Sequence, residues 1–447
     1  MNANYRFFSA AILIIAAVIL PLMAQAQFEF LGNGGLQYYR SAGLSGVNVF
    51  ETPKNDTTTY SGFKVRVGGD FALQFQMLDQ SNTNGNTANI GSDFNLPAAN
   101  LKLDVQLYDG MRMHLTTYLA SRHHNEAWVK GGYMQIDKLD FIKKDFLKEV
   151  MQYTSVRVGL DEINYGDAHF RRTDNANATQ NPFVGNYLMD AFTTEAFMEA
   201  TVQAKNLLVV AGVSNGKLNQ SVQQDQTGWG SSTVTGQADN KPSFYGKLGY
   251  DNQVNSDLRV RLTGSWYVNK SYDNGTYMYG GDRAGSRYYH VTSFIDEDGN
   301  LIEGGDFSGR VNPGFRSVTN WQINPFVKYR GLEFFGAYEV SAGDVVEGDE
   351  FDNGKYTQIA GDLIYRFGHN ENFYVGGRYN LVNGEDYEGA AEKKIQRYNA
   401  VFGWFLTQNV VAKLEYVNQK YKGDGYAGSN FDGYEFNGIM IEAAISF

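Results

Sequence analysis

Cysteine is absent from all 447 residues, and proline occurs only 7 times. Without cysteine there is no disulfide scaffold, no Cys-ligated metal and no lipid-modified cysteine anchor. Beyond residue 26 no apolar run approaches about 18 residues, so no transmembrane helix is expected there. No motif repeats at a period of roughly 20–50 residues, which argues against a propeller or solenoid. Basic residues are too few for a nucleic-acid partner: the net charge is −11, and −12 once Arg6 is lost with residues 1–26. No G-x-S-x-G elbow occurs. Gly280-Gly281 and Gly304-Gly305 are not followed by a helix that could cradle phosphate. The chain therefore reads as no enzyme and calls for no cofactor.

What is present begins with an export signal. Arg6 precedes a nearly continuous apolar run from Phe7 to Leu22, and Ala24-Gln25-Ala26 forms a small-x-small cleavage site. Residues 1–26 are expected to be a signal peptide and residues 27–447 a single domain. That domain is rich in residues suited to strands and tight turns: 50 Gly, 30 Tyr and 30 Phe.

Period-two alternation recurs throughout it. Phe63, Val65, Val67, Gly69, Phe71, Leu73, Phe75 and Met77 share one parity, and Lys64, Arg66, Asp70, Gln74 and Gln76 the other. A helix would break such a pattern within one turn. Asp109-Gly110 marks a hairpin turn. The last strand runs to the carboxyl terminus, with Ile439, Ile441, Ala443, Ile445 and Phe447 on one face. Sixteen strands can be placed, with 14 or 18 open should one hairpin be misassigned. Alternate connections are long and polar (78–98, 162–189, 214–242, 270–318, 342–355) or short (109–110, 205–206, 331, 407–408). An even count, an amphipathic last strand ending in Phe and this loop asymmetry predict an all-β fold: a transmembrane antiparallel β-barrel of the outer membrane of a Gram-negative bacterium, with long extracellular loops and short periplasmic turns. One inner connection differs. Leu139, Ile142, Phe146 and Val150 have helical spacing, so residues 138–151 predict a short amphipathic periplasmic helix.

In a barrel one parity meets lipid and the other the lumen. The lumen parity carries Lys64, Arg66, Lys102, Arg112, His114, Arg157, Arg259, Arg261, Lys328, Arg330, Arg366, Arg378, Arg397 and Lys413, and fewer acids, among them Asp104, Glu333 and Glu442. Rings of Arg and Lys favour anions in a water-filled pore. The competing reading is that these charges pair across the wall, Arg66 with Asp70 or Arg366 with Asp362, and only stiffen it. Trp128, Trp266, Trp321, Trp404, Tyr329, Tyr416 and Tyr434 are expected to form interfacial girdles. His123-His124 with Glu126 is a poor chelate, because adjacent residues on an extended segment point oppositely. Asp296-Glu297-Asp298-Gly299-Asn300 suits a hairpin tip better than a calcium loop.

Val156-Arg157-Val158-Gly159, the Tyr165-Gly166 step and Asn181-Pro182-Phe183 resemble segments of Bacteroidetes-type outer-membrane porins. More distantly they are similar to the phosphate-selective porin O and P family. The resemblance covers about 35 residues beside the barrel layout. That family's selectivity implies an arginine ladder and a lysine cluster, and no dense lysine cluster is present here. In sixteen-stranded porins the third loop folds into the lumen; by that resemblance His169, Arg171, Arg172, Asp161, Glu162 and Asp167 become constriction candidates. The expected function is a porin passing small hydrophilic solutes or ions by passive diffusion, with mild anion preference and a homotrimer as the candidate assembly. The alternative is a loop-plugged structural or partner barrel in a surface or secretion complex.

Overall fold

The computed structural model describes residues 35–95, 98–119, 127–173, 177–217, 241–271, 278–280, 288–302, 309–347 and 350–447. The expected signal peptide 1–26 and the pair His123-His124 lie outside them. Among the described residues one antiparallel sheet closes on itself. It holds 17 strands, of which one is a two-residue piece, Asp93–Phe94, laid against the first. The other sixteen form the wall. They are β1 (Lys64–Ser81), β2 (Ala98–Tyr108), β3 (Met111–Leu119), β4 (Ala127–Ile136), β5 (Thr154–Glu162), β6 (Thr194–Ala204), β7 (Leu207–Ser214) and β8 (Ser243–Gln253). The wall continues through β9 (Leu258–Asn269), β10 (Val318–Tyr329), β11 (Leu332–Glu347), β12 (Glu350–Phe367), β13 (Phe373–Glu385), β14 (Lys393–Thr407), β15 (Val410–Lys422) and β16 (Glu435–Ser446).

Closure is made by the carboxyl-terminal strand. β16 pairs with β1 from Asp70↔Ser446 to Ser81↔Glu435. Phe447 and Gly69 exchange two backbone hydrogen bonds of 3.0 Å. No edge is left to present unpaired backbone groups to lipid, which an open sheet in a bilayer would do at a cost of several kcal/mol per group. The alternating parity becomes two faces. Val65, Val67, Phe71 and Met77 point outward and are exposed, while Asp70, Gln74 and Gln76 are buried inside. On β9, Leu262 and Trp266 face out, and Arg261, Thr263 and Ser265 face in. The apolar, aromatic outer face is the surface a bilayer covers, and it makes this an outer-membrane barrel.

Several expectations change. The outer connection 342–355 is mostly strand, because β11 and β12 pair from Leu332↔Tyr365 out to Glu347↔Glu350. Tyr434 is buried within the barrel; its hydroxyl donates to Gln80 Oε1 at 2.7 Å. Trp266, Trp321, Trp404, Tyr329 and Tyr416 are exposed, as a girdle requires. Arg330 is outside the lumen, in the turn with Gly331, where its Nε lies 3.1 Å from Asp257. The helix expected over 138–151 shrinks to one turn, Lys148–Met151. Phe141, Ile142, Phe146 and Val150 are all exposed. A short helix is marginal unless an apolar face packs, and nothing among the described residues covers this one.

Candidate functional site

Three chain segments fill the lumen in layers. The innermost is residues 35–62, which carries no alternating pattern and precedes the wall. It is fastened to the short-turn end of the barrel. Gln37 Nε2 donates to Asp109 Oδ1 at 3.0 Å, Leu44 N to the Gln408 carbonyl at 2.8 Å, and Lys54 Nζ to the Thr154 carbonyl at 2.9 Å. Phe50 is its buried anchor, with ring centroids 5.9 Å from Phe170 and 5.4 Å from Phe326. Sequence reasoning missed this segment. The only signal was its length, since it is longer than a link to the first strand needs.

The middle layer is the third outer connection, between β5 and β6. Its described residues from Ile163 to Thr193 are all buried except Ala168, which is partly buried. The wall supplies partners for its backbone: Asn324 Oδ1 accepts from Asp167 N at 2.9 Å, Gln358 Oε1 from Met189 N at 2.9 Å, and Asn380 Oδ1 from Leu188 N at 2.6 Å. Lys413 Nζ donates to the Ala178 carbonyl at 2.6 Å. These wall groups bond the loop rather than face open water, because buried backbone donors and acceptors must be satisfied. Gly166 adopts a φ of +68° and presses on the wall: a Cβ there would lie 1.8 Å from Gln322 Oε1. The outer layer comes from the long connection between β9 and β10. Tyr288 and Tyr289 are fully buried in it, 4.8 Å apart and edge to face, so they are not free for ligand stacking. The segment around Asp296 is a hairpin tip, with Asn300 N donating to Asp296 Oδ1 at 2.7 Å.

The ten residues expected to line the pore or constriction are all inside the barrel, and each lies within 4.0 Å of a carboxylate. Arg66 and Arg112 are each 3.8 Å from Asp104, and Arg157 is 2.9 Å from Glu199. His169 is 3.5 Å from Glu162. Arg171 meets Glu333 at 2.7 Å and Arg172 meets Asp190 at 2.9 Å. Arg259 meets Asp251 at 2.7 Å and Arg261 meets Asp167 at 2.8 Å. Arg366 meets Glu333 at 2.9 Å and Arg378 meets Asp362 at 2.6 Å. The expected pairs Arg66 with Asp70 and Arg366 with Asp362 are thus replaced by other partners. Several guanidinium groups also lie over rings, as Arg261 over Phe50 at 4.2 Å and Arg378 over Phe183 at 4.2 Å.

Asp167 is the centre of the tightest cluster. It accepts from Arg261, from Lys247 Nζ at 2.8 Å and from Thr263 Oγ1 at 2.8 Å. Glu51 of the innermost layer joins it, 2.9 Å from Arg261 and 3.3 Å from Lys247. Burial alone would raise the Glu51 carboxyl, but Arg261 and Lys247 outweigh it and hold it below its ordinary 4.5. The same cations hold Asp167 far below 3.8. A carboxyl depressed on folding contributes stability that is complete above its unfolded value and is lost as the pH falls through its folded value. The cluster therefore stays locked from neutral pH down to about pH 5 and loosens only in stronger acid. The midpoint of urea unfolding measured across a pH series is expected to stay level over that range and to fall only below it.

Between the wall and the two inner layers lies a cavity of about 130 Å³. β2 to β6 give it Lys102, Asp104, Arg112, His114, Arg157 and Asp161; the inner layers give it Tyr39, Arg40, Glu51 and Asn164. Of the ten candidates only Arg112 and Arg157 face it. Arg171, Arg172 and Arg378 face a separate cleft of about 10 Å³, room for roughly one water. Arg66, His169, Arg259, Arg261 and Arg366 line neither space. Arg40 is held by the loop: its Nη1 donates to Asn177 at 2.8 Å and its Nη2 to the Phe170 carbonyl at 2.9 Å. His114 sits between Asp104 and Thr116, at 2.7 Å from each. No group of three His, Asp or Glu among the described residues is arranged to hold a metal ion.

No protein-family model matches the chain, and no curated protein is similar to it in sequence. Similarity appears among solved structures. The outer-membrane channel DcaP of Acinetobacter baumannii is 12% identical, with 86% of this chain and 98% of that one covered at a TM-score of 0.51. OprB of Pseudomonas putida is 10% identical, over 86% and 94%, at 0.49. OmpT of Vibrio cholerae is 11% identical, over 87% and 99%, at 0.47. At such identities the likeness to DcaP is one of fold: this chain is a closed sixteen-stranded antiparallel barrel of the kind an outer-membrane channel uses.

Proposed function

We propose that this barrel is a narrow outer-membrane channel that passes small hydrophilic solutes or ions by diffusion beside an internal plug. The observation that carries this reading is the polar cavity of about 130 Å³, kept open between the wall and the two inner layers. A barrel meant only as an anchor has no need of a charged internal space, because burying such groups costs free energy unless water or solute reaches them. Arg112 and Arg157 are the candidates that would meet a passing solute. Their carboxylate partners cancel most of their field, so the anion preference is slight. The ion pairs of the other eight serve to hold the plug and the wall.

A closer kinship with Bacteroidetes-type porins, and more distantly with the phosphate-selective porin O and P family, rests on the segments around Arg157, Gly166 and Pro182. Phosphate selectivity is not part of the proposal, because Arg172, Arg261 and Arg378 are engaged with carboxylates. The second reading, a plugged structural barrel, is favoured by the hydrogen bonds that seat residues 35–62. Purified protein in a planar bilayer separates the two. The channel reading expects small, ohmic, stepwise conductance with a reversal potential near zero in a salt gradient. Silence at high protein load would overturn it. Chemical cross-linking in membranes would test the homotrimer.

A further inference from the structure

Two charged side chains in the cavity have no ionic partner among the described residues. Asp161, at the outer end of β5, is 7% exposed. Its Oδ1 accepts from Glu162 N at 2.8 Å, and among the described residues no cation lies within 4.0 Å of it. Lys102, on β2, faces the same cavity, and its Nζ has no hydrogen bond or ion pair to any described residue. Every other charged group lining the cavity is engaged. Arg40 holds loop oxygens, Arg157 meets Glu199, Glu51 meets Arg261 and Lys247, and Asp104 meets His114 and Arg112.

Leaving a carboxylate so far buried without a counter-charge is costly, because its lost hydration is not repaid. Lys102 and Asp161 line one cavity yet do not reach each other. A simple anion would satisfy Lys102 and worsen the surroundings of Asp161; a simple cation would do the reverse. A molecule carrying both an ammonium and a carboxylate satisfies both and adds no net charge. The size agrees. An engineered cavity of roughly 150 Å³ admits benzene, with six non-hydrogen atoms. This cavity holds about 130 Å³, enough for a compact solute of similar size.

We propose that the cavity is a binding site for small zwitterions of the amino-acid class, with the ammonium on Asp161 and the carboxylate on Lys102. The proposal rests on the channel reading for its route of entry but not for its chemistry. The test is isothermal titration of the detergent-solubilised full chain with L-alanine, acetate and methylammonium. Alanine is expected to bind at least about tenfold more tightly than either single-charge probe. Asp161→Asn and Lys102→Gln should each weaken alanine by a similar factor, with folding verified by heat-modifiable migration on gels. Equal binding of the three probes, or alanine binding unchanged by both substitutions, would overturn the site. Planar-bilayer recordings with alanine keep the two readings apart. Binding without conductance leaves the site standing and removes the channel; conductance without alanine binding does the opposite.

Discussion

Deleting residues 35–62 is expected to raise single-channel conductance several-fold without preventing barrel assembly. The segment contributes no strand to the wall, which closes through β16 and β1. What it contributes is bulk in the short-turn half of the lumen. Phe50 lies there among Phe170, Phe326 and Phe335, and Asn48 Nδ2 donates to Glu333 at 2.7 Å. Removing it joins the cavity to the inner mouth, and the current through a water-filled path grows with its cross-section. A milder variant gives the same sign: Glu51→Ala with Lys54→Ala cuts the segment's ionic ties to Arg261, Lys247 and Asp137. Planar-bilayer recording of both variants is the measurement. Conductance equal to that of the intact chain would show that ions already pass elsewhere.

The largest single-residue effect on stability is expected at Asp167. Asp167→Ala leaves Arg261 and Lys247 buried, with Glu51 as the nearest remaining carboxylate for Lys247. Removing one partner of a buried ionic cluster costs about 3–5 kcal/mol, because the remaining charge keeps its desolvation penalty without its compensation. A surface ion pair behaves otherwise, and Arg330→Ala, which loses only an exposed contact to Asp257, should cost under about 1 kcal/mol. Urea unfolding of the reconstituted barrel, followed by gel mobility, checks both. A midpoint for Asp167→Ala that matches the intact chain would mean that water reaches the cluster and relieves it.

The strands were legible because the two faces of a barrel wall meet different solvents. Lipid selects Val65 and Val67, the lumen selects Arg66, and the chain alternates accordingly. The ionic partners were not legible, and the reason is geometric. Residues four apart on a strand are about 13 Å apart, whereas register partners on neighbouring strands are about 5 Å apart. Arg66 therefore pairs with Asp104, opposite it on β2, and not with Asp70. Arg378 likewise meets Asp362, and Arg157 meets Glu199, each its register partner. The helix expected at 138–151 shows the reverse error. Its apolar spacing is real, but a period alone makes no helix where no surface is there to bury it.

By itself the amino-acid sequence determined the wall: alternating strands, their face toward lipid, and the asymmetry of their connections, with the count of sixteen fixed by the pairing of the closed sheet. Each of these follows from local period and local polarity, which neighbouring residues carry. Only the tertiary structure decided what the wall encloses. The layers from residues 35–62 and from the β5–β6 connection are held by contacts between residues far apart in the chain, such as Asn48 to Glu333 and Lys413 to Ala178. No period records such contacts. They turn a lumen that reads as basic into one in which nearly every described charge is matched, and they leave Lys102 and Asp161 facing one small cavity.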